Sequence, residues 1–479
     1  MDSTIVYKTE KGNSYFLDAN TGNFGVLSPK LYEQIMCQDT GMEQDVEVDS
    51  RNYYKRKHQY WLNHGLFQKQ DLEEEVYLTP EMVEESLANT EQIVFEVTDK
   101  CNLRCKYCGY RDLYGGYDQR VNKNLSVEDA IRFWNQVYKV IEAKKSIRTN
   151  EKLVVGFYGG EPLLNFDFVR DMVDYIKSTS SVKIEFNMTT NAMLLDKYMD
   201  FLIKEDFSLL ISLDGDYEGN SYRVTADHKN PHPKIVRNID MLQEKSPEYF
   251  QRKVQFNAVL HDANSIDRTY HFIHTRYGKK PRMSEMSTDS IVKKDEYDKM
   301  KKSFVDDFVH SDHKEILFQA YFQDFPLHKD IDNLLRAVCN ASVLSISDLL
   351  GGKPIRKLLT GTCLPFNKKV FITVNGKILA CEKIDHIFSL AQLKGDGELF
   401  DFEFIANKYN EYYKKVKSRC SSCYYKKICD KCMFSVSEEL NADNYACSVY
   451  MNKREYGDYM SYLTSFLEEY PVNLDQYVY

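Results

Sequence analysis

The sequence predicts an α/β protein built on an open parallel sheet of six β–α units, flanked by an N-terminal module and a cysteine-rich C-terminal region. Three observations carry this. Between about residue 92 and 300, β-rich apolar runs alternate with stretches whose apolar residues recur at helical spacing. Glycines and polar residues gather at the ends of those runs, where parallel sheets place their ligands. Beyond them the alternation stops, and seven of the twelve cysteines lie between Cys363 and Cys447.

The 479 residues suffice for two or three domains with a large core. A net charge of −9 argues against a broad nucleic-acid footprint, which needs a basic face. No apolar run approaches a membrane span, and Met1-Asp2-Ser3-Thr4 lacks the basic start of a signal peptide. The expectation is a cytoplasmic protein with no membrane and no nucleic-acid partner. Thiols stay reduced there, so twelve cysteines point to metal or cluster ligation before disulfides.

In chain order, Thr4–Lys8 and Ser14–Asp18 read as strands around a Lys11-Gly12-Asn13 turn. Ser28-Pro29 opens a helix, and a second helical segment covers about 50 to 64. Acidic residues 71–75 form a linker, and Thr79-Pro80 starts a short helix. The first strand of the alternating region is Ile93–Val97. Ser126 with Asp129 caps a helix through Ile131, Trp134, Tyr138 and Ile141. Then come strand Leu153–Tyr158, a helix through Val169, Met172, Val173 and Ile176, strand Val182–Met188 and helix Leu195–Asp206. Strand Phe207–Leu213, a helix through Ile235, Ile239 and Leu242, strand Val254–Leu260, helix Ser265–Tyr277 and a sixth strand near Arg282–Thr288 follow. Residues Asp295–Asp312 read as one amphipathic helix in a bridging segment. Asn375-Gly376 between β-rich runs predicts a hairpin.

Cys101-x3-Cys105-x2-Cys108 sits in a loop after the first strand. Three thiolates on a [4Fe–4S] cluster leave one iron open to a ligand; the competing reading is a zinc knuckle lacking a ligand. The second strand ends in Gly159-Gly160-Glu161-Pro162, where glycines let backbone approach a ligand and Glu161 offers a carboxylate. Cys363, Cys381 and the group Cys420-x2-Cys423-x5-Cys429-x2-Cys432, with Cys447, suit zinc or iron–sulfur ligation. Cys37 and Cys339 read as packing thiols.

The three-cysteine loop, with Tyr107 just before its last cysteine, resembles the signature of the radical SAM enzymes. The resemblance implies an open (β/α)6 barrel, a TIM-like partial barrel, over about 90–310. It implies that Cys101, Cys105 and Cys108 hold a [4Fe–4S] cluster whose open iron takes S-adenosylmethionine, yielding a 5′-deoxyadenosyl radical. By the same resemblance Gly159, Gly160, Glu161 and Pro162 bind the methionine amino group. Ser212 and Asp214 face the ribose or methionine, Arg223 pairs with the methionine carboxylate, and Tyr107, Thr190 and Asn191 belong to the cofactor site.

The C-terminal cysteines, with Gly376 five positions before Cys381, resemble the SPASM extension over 361–479, after a bridging segment 311–360. Cys363, Cys381 and Cys432 would then hold one auxiliary [4Fe–4S] cluster, and Cys420, Cys423, Cys429 and Cys447 a second. The first has an open site or takes Cys339. Glu382 stands where sulfatase-maturing relatives carry an acidic base. Residues 1–75 resemble a winged-helix-like precursor-recognition module that binds a leader peptide as an added strand. Together these imply a peptide maturase acting on a ribosomally made precursor, forming a thioether or carbon–carbon cross-link, with flavodoxin or ferredoxin as electron donor. Sulfatase-type formylglycine maturation is the nearest alternative, and a non-catalytic zinc-stabilised binding protein is an alternative of another class.

Overall fold

The computed structural model describes residues 4–18, 24–40, 48–63, 77–321, 330–331, 360–395, 397–436, 447 and 449–469. Cys339 and the side chain of Cys37 lie outside what is described.

The N-terminal module is an antiparallel sheet of β1 (Thr4–Lys8), β2 (Ser14–Asp18) and β3 (Phe24–Leu27), followed by α1 (Pro29–Thr40) and α2 (Val48–Asn63). The third strand escapes sequence reading because four residues with a central Gly25 carry almost no periodicity. This sheet does not stand apart. Tyr7 Oη pairs with Thr464 Oγ1 at 2.9 Å and Tyr15 Oη donates to Glu468 at 2.9 Å. Both partners lie on the last described helix, Lys453–Glu469.

After α3 (Pro80–Ala88), capped by Thr79, six strands run in parallel and in chain order. They are β4 (Gln92–Thr98), β5 (Lys152–Gly159), β6 (Lys183–Thr190), β7 (Ser208–Ser212), β8 (Val254–Val259) and β9 (Arg282–Ser284). The helices between them are α4 (Val127–Ala143), α5 (Phe166–Thr179), α6 (Leu195–Lys204), α7 (His232–Lys245), the short α8 (Pro247–Lys253) and α9 (Ile266–Tyr277). Ser126 Oγ accepts from Asp129 N at 3.0 Å, the cap its spacing predicts. Phe95, Phe133, Trp134, Phe157 and Phe207 are fully buried between sheet and helices. Truncating one such ring to Ala costs about 3–5 kcal/mol. This is the six-unit α/β architecture that the alternation predicts.

The single helix expected over Asp295–Asp312 is instead two, α10 (Lys294–Met300) and α11 (Phe304–Val309), followed by α12 (Lys314–Tyr321). The break has a local cause. Ser303 is extended and caps α11 by accepting from Asp306 N, so it cannot continue the preceding helix.

The hairpin predicted at Asn375-Gly376 forms between β10 (Lys369–Ile372) and β11 (Lys377–Leu379), with Gly376 at φ +76°. Its placement was not legible in sequence. β10 lies parallel against β4, and β12 (Ala391–Gln392) follows β11, so one sheet of nine strands joins barrel and C-terminal region. The remaining described helices are α13 (Phe402–Cys420) and α14 (Lys453–Glu469). Tyr409 and Val416 of α13 share the barrel's main core.

Glu96, on β4 within this core, is 2% exposed and accepts from Val374 N at 2.9 Å. Burial raises its pKa to about 7. A carboxyl raised on folding charges stability for its ionisation: nothing below about pH 4.5, the full amount above about pH 7. Glu96→Gln keeps the acceptor and removes that cost. The variant is expected to gain on the order of 2 kcal/mol at pH 8 and little at pH 4.5, read from thermal midpoints at both.

Candidate functional site

The carboxyl ends of β4–β8 open on one cavity of about 300 Å³, at the small end of the ~300–1,000 Å³ of ligand pockets. Its wall contains Cys101, Cys105 and Cys108, and also Tyr107, Gly159, Gly160, Glu161, Thr190, Asn191, Ser212 and Arg223. Residues more than a hundred positions apart in sequence thus converge because parallel crossovers bring every strand end to one edge.

The cysteine loop is held by backbone. Arg104 N donates to Val224 O at 2.6 Å and Lys106 N to Tyr222 O at 3.0 Å. Burial pushes the Cys101 thiol up to about 11, with Glu161 adding to it, and the Cys105 thiol up to about 12. Without metal these are protonated at neutral pH, so ligation releases protons.

Gly159 and Gly160 are required for a different reason than ligand approach. A Cβ on Gly159 would stand 2.3 Å from Thr98 O, and one on Gly160 1.9 Å from Lys100 O. Gly160 N donates to Thr98 O at 2.7 Å and Glu161 N to Lys100 O at 2.8 Å. The glycines let two strand ends lock together beneath the cysteine loop. Gly160→Ala is expected to lower the thermal midpoint and loosen cluster binding together, read by calorimetry and iron content.

Glu161 is also turned inward. Its carboxylate accepts from Thr190 Oγ1 (2.8 Å), Asn191 N (2.8 Å) and Leu163 N (3.2 Å), and burial raises its pKa to about 7. It buckles the second strand end to the third, so its carboxylate is occupied by protein donors. Pro162 is buried and opens the 3-10 turn Pro162–Asn165 outside the cavity wall. Asn191 Nδ2 reaches Asn102 Oδ1 at 2.7 Å, steadying the loop between Cys101 and Cys105.

Asp214 does not face the cavity. It is fully buried behind Arg223, accepting from Arg223 Nε (3.0 Å) and Nη2 (2.8 Å), from Val259 N (2.9 Å) and from Tyr107 Oη. The bidentate carboxylate partner of Arg223 is therefore a protein residue, and Arg223 presents its remaining surface to the cavity. Burial pushes the Asp214 pKa up, but the Arg223 charge and His261 override it and hold it at about 2.

Sequence reading missed much of the opposite wall: Tyr110, Tyr114, Tyr117, Arg120 and Tyr158. The Tyr110 and Tyr114 hydroxyls and Arg120 Nε are buried without a hydrogen-bond partner. The available signal was the tyrosine density between Tyr107 and Tyr117.

The C-terminal cysteines separate into two sets. Cys432, Cys363 and Cys381 all act on the buried Tyr409 hydroxyl, whereas Cys420 is pushed up to about 12 by burial and by Cys429, Cys423 and Cys447. Among the described residues no three cysteine sulfurs lie within 4.8 Å of one another. Tetrahedral zinc, with Zn–S about 2.3 Å, needs sulfurs about 3.8 Å apart. Three sulfurs at that spacing are not present among the described cysteines. Glu382 is paired with Lys369 at 2.5 Å; burial pushes its pKa up, but the ammonium holds it below the ordinary value. Among the described residues no helix is long and apolar enough to cross a membrane.

Comparison with known proteins agrees with this geometry. Residues 95–273 match the family profile of the radical SAM superfamily, whose members use S-adenosylmethionine and a [4Fe–4S] cluster. The chain is 30% identical over 172 residues to the radical SAM cyclopropyl synthase TigE of Paramaledivibacter caminithermalis, covering 34% of each chain. It is 27% identical over 186 residues to a cysteine-type anaerobic sulfatase-maturating enzyme of Clostridium novyi, covering 38% of this chain and 46% of that one. The matched stretch thus spans about a third to a half of the length of these curated relatives. The solved structure of native anSMEcpe with bound AdoMet aligns at TM-score 0.51 and 18% identity, over 79% of this chain and 97% of that one. The same protein with AdoMet and the Kp18Cys peptide aligns at 0.50 and 17%, with the same coverage. At such identities the likeness is one of fold. With three cysteines, an open cavity and five parallel strand ends in one place, residues 95–273 match a radical SAM domain.

Proposed function

We propose that the chain is a radical SAM peptide maturase that abstracts hydrogen from a ribosomally made precursor and forms a thioether or carbon–carbon cross-link. The observation that supports this most is the wall between the cysteine sets. Tyr117 lines the cavity and feels Cys381, Glu382 and Cys108 together. A substrate carbon held in this cavity lies between the first cysteine loop and the Cys381 set.

In this reading Cys101, Cys105 and Cys108 hold the first cluster. Cys363, Cys381 and Cys432 hold one auxiliary cluster, and Cys420, Cys423, Cys429 and Cys447 another, for three in all. Bound at the first loop, a reduced [4Fe–4S] cluster and S-adenosylmethionine supply the carbon-centred radical that removes hydrogen. The chain's residues do the rest. Ser212, Asn191 and Arg223 orient polar groups of the cofactor, and Asp214 and Tyr107 fix the Arg223 guanidinium. Tyr110, Tyr114 and Arg120 offer unpaired donors to a peptide carbonyl, where an unmet buried donor is costly. The N-terminal sheet takes the leader as an added strand, and flavodoxin or ferredoxin supplies electrons.

The peptide-bound state of a fold neighbour, and a cyclopropyl synthase and a sulfatase-maturating enzyme among relatives, support a peptide substrate. Formylglycine formation is the weaker reading. Lys369 makes Glu382 a poor base, and the N-terminal module is an addition that reading leaves unused.

The test is anaerobic incubation of the reconstituted protein with S-adenosylmethionine, reductant and any short peptide found encoded beside its gene. The expected product has lost two hydrogens, with fragment masses locating a link between side chains. An aldehyde at a single Cys or Ser would favour the sulfatase reading, and an unmodified peptide would sink the proposal.

A further inference from the structure

On α9 and the residue before α12, three potential ligands converge. Asp267 and His271 stand one turn apart on α9, with Asp267 Oδ1 3.2 Å from His271 Nε2. His313, directly before α12, places Nδ1 2.9 Å from Asp267 Oδ2. The two imidazoles meet edge to face, centroids 4.9 Å apart at 89°. One ligand atom from each residue lies within 4.8 Å of the other two.

A second feature separates this from an ordinary ion pair. Asp267 Oδ1 is buried and makes no hydrogen bond, although the His271 nitrogen is only 3.2 Å away. The two atoms are close without the alignment of a hydrogen bond. Zn–N and Zn–O bonds of about 2.0–2.2 Å in a tetrahedron set ligand atoms roughly 3.3–3.6 Å apart. The distances seen need only small side-chain rotations to reach that.

We propose that Asp267, His271 and His313 form a divalent transition-metal site of the zinc class, with water as fourth ligand. Two imidazoles and one carboxylate suit zinc and exclude the hard cations that prefer all-oxygen shells. The site ties α12 to α9. Phe308, Leu317 and Tyr321 already share a core with Ile266 and Tyr270, and the metal clamps the outer edge of that contact. α12 is thereby anchored to the barrel independently of any iron–sulfur cluster.

The test uses the cluster-reconstituted protein, so that cysteines are occupied. It is equilibrated with Zn2+, passed over a desalting column and analysed for zinc. Parallel samples carry Co2+, whose visible spectrum separates nitrogen and oxygen ligands from thiolates. Wild type and a His274→Ala control, whose ring stacks on Tyr270, are expected to retain about one zinc and to show cobalt bands without thiolate charge transfer. His271→Ala and His313→Ala are expected to bind at least about tenfold more weakly. Equal retention in all four proteins, no retention in any, or a thiolate cobalt spectrum would overturn the proposal. With side chains 44% and 48% exposed, His271 and His313 are expected to be replaceable without loss of the fold, which circular dichroism checks.

Discussion

Replacing Cys101, Cys105 and Cys108 together by Ala is expected to abolish reductive cleavage of S-adenosylmethionine and to remove about four irons per chain. The seven C-terminal cysteines remain in this variant, so iron is expected to fall from about twelve to about eight rather than to zero. Iron analysis and 5′-deoxyadenosine release after anaerobic reconstitution read the two effects separately. The fold should survive. The loop is fixed by backbone bonds from Arg104 and Lys106 to residues 222–224, and its thiols add only the long contacts from Leu103 N and Asn191 Nδ2 to Cys101 Sγ. Loss of all iron would mean that the C-terminal sets do not bind clusters by themselves. Unchanged iron would refute the assignment of the loop.

Asp214→Asn is expected to be the most damaging single change outside the cysteines. The carboxylate is fully buried and meets Arg223 through two bonds, with Tyr107 and Val259 N as further donors. Removing one charge of a buried pair leaves the other uncompensated and costs about 3–5 kcal/mol. The thermal midpoint is expected to fall by roughly 6–15 °C. The pH dependence gives a second reading. The pKa of Asp214 is depressed on folding to about 2, so its stabilisation is full above the unfolded value near pH 4 and is lost as pH falls toward 2. The gap between wild type and variant, measured by urea unfolding, should close over that interval. A gap that stays constant from pH 6 to pH 2.5 would show that the ion pair is not its source. S-adenosylmethionine affinity should drop as well, because Arg223 loses the group that aims it.

Much of this protein was legible before any coordinates. The six strands came from apolar runs with polar ends, and the caps at Thr79 and Ser126 from single side chains. The cysteine loop and the Gly159–Pro162 stretch came from local spacing. Such features depend on neighbours within a few residues, so the sequence carries them directly. The division of the C-terminal cysteines rests on the family resemblance and not on spacing, because Cys432 belongs in sequence to the dense group that begins at Cys420.

What the tertiary structure decided lies between distant segments. The roles of Glu161 and Asp214 changed because a carboxylate's partners depend on which strand end lies beside it. Glu161 turned to Thr190 and Asn191, and Asp214 to Arg223. Gly159 and Gly160 proved to make room for Thr98 and Lys100 carbonyls, a contact across two strands. The joining of β10 to β4, the seat of the N-terminal sheet on α14 and the Asp267–His271–His313 cluster likewise unite remote parts of the chain. Spacing along the chain fixes what a short segment does to itself. Which surfaces meet is settled by burial summed over the whole core, and no single stretch encodes that sum.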